Sequence, residues 1–104
     1  MEMLAALRAL ADENRLKIMA LLEVENFCVQ ALAHRLGLSE AAVSQHLKIL
    51  REAGLVEGEK RSYWVHYRVK NDNLSELTGM LDNISEEVDI EAEIARDPGD
   101  ECCH

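Results

Sequence analysis

The sequence predicts a mainly α-helical domain with a small β-hairpin wing, arranged as a winged helix–turn–helix. Two observations lead to this prediction. Residues 31–50, ALAHRLGLSEAAVSQHLKIL, indicate two short helices that meet at Gly37, a residue able to adopt positive φ where a helix ends. Residues 55–69 then contain two short runs rich in β-branched and aromatic side chains, which are typical of a hairpin. An ordinary helical hairpin remains the alternative for the first segment taken alone.

Two helices are predicted before this segment. The first carries an apolar stripe, and Asp12 is placed to cap the second, whose apolar residues would face the core. These stripes contain Leu4, Leu7 and Leu10 on the first helix and Ile18, Leu21 and Leu22 on the second.

The second helix of the helix–turn–helix is predicted to begin after Ser39, as its N-cap, with Leu38 and Val43 packed across the cap. Apolar residues at i, i+4 and i+7, namely Val43, Leu47 and Leu50, would form its buried face. The side chains outside that face suit base edges and phosphates in a major groove. We therefore predict DNA contacts from Ser39, Ser44, Gln45, His46 and Lys48.

Gly54 should end this helix, with Leu55 as the apolar partner of a Schellman-type cap. Lys60, Arg61 and Ser62 are then expected at the tip of the hairpin. A basic hairpin beside a recognition helix is predicted to reach the DNA backbone or minor groove through Lys60 and Arg61. A solvated hairpin tip is the alternative.

A final helix over about residues 72–95, capped by Asp72 or Asn71, is predicted to carry the seam of a short coiled coil. The seam comprises Leu74, Leu77, Leu81, Ile84 and Val88. Because it is too long for one small domain to bury, we expect a partner helix and a homodimer. Folding back on its own domain is the alternative. The predicted boundaries are 1–95 for the DNA-binding and dimerisation domain and 96–104 for a cysteine-rich tail.

The charge is divided unevenly between these parts. The net charge is −9, yet residues 1–70 hold ten basic and nine acidic residues, and residues 71–104 hold one basic and eleven acidic ones. The acidity therefore belongs to the C-terminal part and does not oppose DNA binding by the rest. Without an apolar run near 18 residues or a signal-like start, no membrane partner and a cytoplasmic location are expected.

The three cysteines are the second informative feature. Cys102, Cys103 and His104 stand together at the end, and Cys28 precedes the helix–turn–helix at a predicted helix N-cap, where the thiolate is favoured. Three sulfur ligands suit a trigonal As(III) or Sb(III) centre, and another soft metal ion is the alternative. Cys28 could instead merely replace a capping serine.

The segments VSQHLKILREAGLV and VHYRV, together with the opening ALADENRLKIMALL, resemble the ArsR/SmtB family of metal-responsive repressors from about Leu4 to Leu81. The resemblance implies a homodimer, formed through the first and last helices, that represses an operon until an inducer binds. Arsenic and cadmium sensors of the family often carry Cys-Val-Cys where this chain has Cys28-Val29-Gln30. One thiol of that site is therefore missing, and the tail would have to supply others.

The function predicted from these features is a repressor that leaves an inverted-repeat operator when cysteine thiolates bind As(III) or Sb(III). A thiol redox or sulfide sensor on the same fold, or a Cd(II), Pb(II) or Zn(II) sensor, is the alternative. The third ligand could be Cys28, His104 or a residue of the partner chain. The family's other site, between the last helices, is not expected because residues 72–96 contain no histidine. An enzyme is not expected, since no nucleophile–base–acid set and no phosphate-binding loop appear.

Overall fold

This computed structural model describes residues 1–91, which form α-helices and a small three-stranded antiparallel sheet. The elements run in the order α1 (Met3–Leu10), α2 (Glu13–Val24), β1 (Phe27–Cys28), α3 (Val29–Leu36), α4 (Glu40–Glu52), β2 (Val56–Arg61), β3 (Trp64–Val69), α5 (Asn71–Asp82) and α6 (Ile84–Glu87). The predicted mainly helical winged helix–turn–helix is confirmed. The predicted tail, residues 96–104, lies outside the described residues.

Side-chain caps begin the first two helices. Glu2 accepts hydrogen bonds from the Leu4 and Ala5 N–H groups at 3.0 and 2.7 Å, and Asp12 accepts one from the Arg15 N–H at 3.0 Å. The cap predicted at Asp12 is therefore confirmed. The buried faces of these helices contribute Ala6, Ala9, Ile18, Met19 and Leu22 to the core.

The turn between α3 and α4 forms as predicted. Gly37 has φ of 67°, and the Leu38 N–H donates to the Ala33 carbonyl at 3.0 Å. Ser39 Oγ accepts the Ala42 N–H at 3.0 Å and caps α4. The predicted apolar face is buried, since Val43, Leu47 and Leu50 are at most 1% exposed. Capping and burial together fix the axis of α4 relative to the domain.

The C-terminus of α4 has both hydrogen bonds of a Schellman motif. The Leu55 N–H donates to the Leu50 carbonyl and the Gly54 N–H donates to the Arg51 carbonyl, each at 3.0 Å. Gly54 has φ of 80°, and Leu55 is fully buried. Because β2 starts at the next residue, this cap fixes where the wing leaves the recognition helix.

The sheet differs from the predicted hairpin in two ways. A third strand, β1, pairs with β3 through Phe27↔Tyr67 and Cys28↔His66, and gives the strand order β1-β3-β2. Two residues are too few to show an alternating pattern, so the sequence did not reveal it. The prediction of Lys60 and Arg61 at the tip was also wrong. Both belong to β2, and the turn is formed by Ser62 and Tyr63.

The prediction of a long final helix that continues to about residue 95 was wrong. The helix ends at Asp82 and is followed by the four-residue α6 and then Val88 in extended conformation. Asn83 Nδ2 donates to the Gly79 carbonyl at 3.1 Å, and Thr78 Oγ1 donates to the Leu74 carbonyl at 3.1 Å. Such side chains compete with the helical hydrogen bonds, and a glycine inside a helix weakens it further.

The predicted cap and seam of this helix also need correction. Its N-cap is Lys70, which makes no side-chain cap hydrogen bond, rather than Asp72 or Asn71. The predicted seam does not form one continuous exposed stripe. Leu77 is only 3% exposed and belongs to the core of its own domain, and Leu74 packs against that core. The later seam residues, Leu81, Ile84 and Val88, are exposed.

Candidate DNA interface and thiol site

The outer face of α4 presents a row of polar side chains. Ser44, Gln45 and Lys48 are exposed there, opposite the buried apolar face. Ser39 is also exposed, but its hydroxyl already accepts the Ala42 N–H. The amide of Gln45 and the ammonium of Lys48 therefore provide donors and an acceptor that no group of residues 1–91 covers. They lie one helical turn apart on α4.

His46 is oriented differently from these residues. Its side chain is 18% exposed, and its Nδ1 lies 3.2 Å from Nη1 of Arg15 and 3.9 Å from Oδ2 of Asp12. Arg15 Nε also donates to the Ala9 carbonyl at 2.6 Å. The structure thus places His46 between α4 and α2, where it orients the recognition helix.

Asp12 completes this cluster. Its carboxylate accepts the backbone N–H of Arg15, and this hydrogen bond is the main reason that the pKa of Asp12 is lowered. Desolvation is the next largest effect and raises the pKa, while the nearby Arg15 and His46 side chains each lower it by less. One N-cap residue therefore carries a stable negative charge next to the groups that orient α4.

The wing carries paired carboxylates and an outward cation. Arg68 Nε donates to Glu57 Oε1 at 2.7 Å, and Arg61 Nη2 lies 3.5 Å from Glu59 Oε2. Lys60 is exposed and enters no ion pair within residues 1–91. The pairing reduces the repulsion that the two glutamates would exert on a phosphate backbone, and it leaves Lys60 available for a phosphate.

Large apolar side chains surround the wing tip, a feature that sequence reasoning missed. Tyr63 is 94% exposed, Trp64 52% and Val65 40%. In the sequence these residues resemble ordinary strand residues with high β-propensity. Only the two-residue turn at Ser62 and Tyr63 shows that they lie beyond the part of the sheet that packs on the core.

Cys28 lies at the point where β1 passes into α3. It occupies the N-cap position of α3, as predicted, and is half-buried without a side-chain cap hydrogen bond. An open cavity of about 630 Å³ joins Cys28 to residues of α3 and of the turn, namely Gln30, Ala31, Ala33, His34, Leu38, Ser39 and Glu40. The thiol therefore shares a cavity with the N-terminus of the recognition helix.

The rest of the predicted thiol site is not described. Cys102, Cys103 and His104 lie outside residues 1–91, so their distances from Cys28 are not part of this structure. Within the described residues, no group of three His, Cys, Asp or Glu side chains is placed to hold a metal ion. In the same part of the chain, no helix combines the length and apolar character needed to cross a bilayer.

A capped helix–turn–helix followed by a basic hairpin defines this chain as a winged helix–turn–helix DNA-binding protein. Residues 12–58 match the family described as bacterial regulatory protein, arsR family. Together with the relatives described next, this match shows that the chain belongs to the ArsR family.

Two curated relatives carry names that concern metals or metalloids. The arsenical resistance operon repressor of Escherichia coli K12 is 46% identical over 63 residues, which cover 60% of this chain and 54% of that protein. The cadmium resistance transcriptional regulatory protein CadC of Listeria innocua is 38% identical over 82 residues, which cover 78% of this chain and 69% of that protein. The chain thus spans only about half to two thirds of its curated relatives. The family and these relatives are regulators, not enzymes.

A solved structure supports the fold. The homodimeric winged helix–turn–helix DNA-binding domain Mb0332 of Mycobacterium bovis, a possible ArsR-family transcriptional regulator, aligns with a TM-score of 0.68 at 27% identity. The alignment covers 83% of this chain and 80% of that one.

Proposed function

We propose that this chain is a transcriptional repressor that binds operator DNA as a homodimer and leaves it when cysteine thiolates bind As(III), Sb(III) or another soft metal ion. The observation that carries the proposal is the shared cavity of Cys28 and the N-terminus of α4, which includes Ser39 and Glu40. A ligand held at Cys28 would contact the segment that sets the position of the recognition helix.

DNA binding rests on the two exposed polar surfaces. Gln45, Ser44 and Lys48 on α4 would enter a major groove, with Ser39 at the start of the helix near the backbone. Lys60 and Arg61 on the wing would contact phosphates beside that groove. His46 would contribute by orienting α4. Two such units related by a two-fold axis require an inverted repeat with half-sites about one helical turn apart.

Dimerisation rests on apolar side chains that the domain leaves uncovered. Leu4 of α1 is 47% exposed, and Leu81 and Ile84 near the other end of the chain are 41% and 52% exposed. Since α5 contacts both α1 and α6, these three residues lie on a connected set of elements. Covering them with the same surface of a second copy would remove apolar area from water on both chains.

Sensing rests on the chemistry of the donors. The half-buried thiol of Cys28 fits a soft metalloid as one ligand, because thiolate sulfur is the donor that such centres prefer. Gln30 stands two residues later and offers no soft donor. The remaining sulfur ligands in this proposal are Cys102 and Cys103. Release then requires only that the metalloid bind the DNA-incompetent state more tightly, with a coupling of about 1–3 kcal/mol in typical systems.

The test is fluorescence anisotropy of a labelled duplex that the wild-type protein has enriched from a randomised library. Adding arsenite should release the wild-type protein but not the Cys102→Ser/Cys103→Ser double variant, which should bind the duplex normally without arsenite. Loss of release in Cys28→Ser would place Cys28 among the ligands. Gln30→Ser, in the same cavity, is the matched control and should respond like the wild type.

Two outcomes would contradict the metalloid proposal. One is normal release of the tail double variant by arsenite. The other is release by an oxidant such as tetrathionate with none by arsenite, reversed by a reducing dithiol. The second outcome would support the thiol redox alternative, in which Cys28 and a tail cysteine lose two electrons to the oxidant and form a disulfide.

A further inference from the structure

The tip of the wing is an exposed apolar projection. Tyr63 occupies the two-residue turn and is 94% exposed, more than any other large apolar side chain of residues 1–91. A monomeric domain leaves such side chains in water singly, but three consecutive ones at the end of a hairpin call for an explanation. We refer to Tyr63, Trp64 and Val65 as the wing wedge.

The wedge exposes apolar side chains on both faces of the hairpin. In the register of the sheet, Trp64 pairs with Arg61, and Val65 pairs with Lys60. Successive residues of a strand point to opposite faces, so Trp64 and Val65 lie on opposite sides with Tyr63 at the end. A flat partner surface could cover only one of these sides. A groove contacts both sides at once.

The charges beside the wing wedge indicate which kind of groove it fits. Lys60 and Arg61 directly precede the turn, and the carboxylates of Glu57 and Glu59 are held by Arg68 and Arg61. Cations beside an aromatic tip are complementary to a groove with phosphates along its rims. The wing also continues the candidate DNA surface, because the Schellman cap at Gly54 joins α4 directly to β2.

We propose that the wing wedge inserts into the minor groove of bound DNA and that Tyr63 stacks against or between bases there. The proposal deepens the proposed function and rests on it, because DNA is the partner. Paired strands lie about 4.8 Å apart, and with side chains on both faces they exceed a minor groove about 6 Å wide. Insertion therefore requires the groove to open, and apolar wedges that do this bend the duplex towards the major groove.

This insertion would add a second source of sequence preference. α4 reads base edges through hydrogen bonds, whereas the wedge would favour steps that unstack easily. Pyrimidine–purine steps such as TA and CA are the most deformable. The enriched duplexes should therefore carry such a step on the side of each half-site where the wing lies, without a fixed base-edge contact there.

The test uses the full chain and a duplex that the wild-type protein enriches from a randomised library. Trp64 is the only tryptophan, so its emission reports on the wedge alone. Binding should quench this emission, and energy transfer between dyes on the two ends of the duplex should rise as the DNA bends. Tyr63→Ala should weaken binding about tenfold or more and reduce the bend, with an unchanged salt dependence. Tyr63→Phe should restore both.

Two controls separate stacking from other effects. Lys60→Ala should keep the bend but lower the steepness of log affinity against log salt by about two units, because each of the two chains in the dimer loses one phosphate contact. Val24→Ala removes another large exposed apolar side chain, 79% exposed at the end of α2, and should change nothing. Because Tyr63 touches so little of the domain, its variants should keep the wild-type melting temperature.

Normal affinity and bending of Tyr63→Ala, or unchanged Trp64 emission on a duplex whose binding depends on Gln45, would overturn the wedge and leave the proposed repressor intact. Quenching by anionic phospholipid vesicles but not by the bound duplex would assign the tip to a lipid surface and also overturn the proposal. Failure of the wild-type protein to enrich any duplex would overturn both the wedge and the proposed function.

Discussion

Arg15 and His46, which stand 31 residues apart in the chain, join the start of α2 to the recognition helix through a contact of 3.2 Å. The same guanidinium donates to the Ala9 carbonyl at the end of α1. One side chain therefore ties three helices together on the inner side of α4. This contact helps to hold the exposed polar face of α4 in place, although Arg15, His46 and Ala9 do not belong to that face.

Replacing Arg15 by alanine should lower both stability and affinity for DNA. The Ala9 carbonyl and His46 would lose a charged donor, at a cost of about 1–3 kcal/mol in the free energy of unfolding. Urea denaturation and duplex anisotropy measure the two effects. Lys17→Ala is the matched control, because its ion pair with Glu13 is exposed and should be worth less than about 1 kcal/mol. Equal effects of the two substitutions would contradict the assigned role.

Gln45→Ala should weaken binding and relax base preference at one position of each half-site. A bidentate contact between an amide and adenine discriminates by about 1–3 kcal/mol. Competition between the enriched duplex and single-base variants of it measures this loss. Gln30→Ala, an exposed glutamine on α3, should leave the preference unchanged. If Gln45→Ala also keeps the preference, α4 does not read the bases through this residue.

Leu81→Asp should give monomers that fold but do not bind the operator as a pair. Leu81 is exposed, so the charge is tolerated in the monomer but opposes burial in a dimer. Sedimentation measures whether the variant is a monomer or a dimer. Leu16→Asp changes another exposed leucine, 53% exposed on α2, and should stay dimeric. Intact Leu81→Asp dimers would show that another surface forms the interface.

Leu77→Ala should instead lower the free energy of unfolding by about 2–5 kcal/mol, because Leu77 is a core residue.

Two glycine substitutions should act in opposite directions. A Cβ at Gly58 would lie 2.9 Å from Val65 Cγ1 and 3.1 Å from Tyr67 Cε1, so Gly58→Ala should strain the wing by about 1–3 kcal/mol. Gly79 has open space around it within α5, so Gly79→Ala should be neutral or stabilise by up to about 1 kcal/mol. Thermal unfolding compares them. A stable Gly58→Ala protein with normal DNA affinity would show that the wing repacks freely.

Acidification should remove the contribution of Asp12 to stability. Its pKa in the folded state is lowered, so the carboxylate stabilises the fold above the usual carboxyl pKa of about 4 and loses this effect as the pH falls through the folded value. Asn caps a helix about as well as Asp, so Asp12→Asn removes mainly the charge. The gap in unfolding free energy between wild type and Asp12→Asn should be larger at about pH 7 than at about pH 3. Equal gaps would contradict the prediction.

The local signals were the ones that the sequence showed correctly. Gly37, Ser39 and Gly54 mark helix ends through hydrogen bonds among residues at most five positions apart, so their outcome depends little on the rest of the chain. The spacing of Val43, Leu47 and Leu50 identified the buried face of α4 for the same reason. The exposed positions of Ser44, Gln45 and Lys48 follow directly from that face.

Features that depend on distant contacts were missed or misjudged. Strand β1 exists because Phe27 pairs with Tyr67, 40 residues later, and Cys28 pairs with His66, 38 residues later. The apolar period after Leu77 suggested a continuous helix, yet α5 ends at Asp82, where Asn83 leaves the helical conformation with φ of −122° and ψ of 46°. A hydrophobic period shows which residues can share a face but does not show which partner covers them, so Leu77 was assigned to an interface although it lies in the core.

Capping, periodicity and turn formation are short-range effects, so the helix–turn–helix, the wing and the family resemblance could be recognised from the residues alone. The packed fold was needed to show that His46 points inward to Arg15, that Cys28 shares a cavity with Ser39 and Glu40, and that Tyr63 projects from the wing. Each of these depends on the distance and exposure of groups from different elements, which are fixed only when the helices pack around a common core.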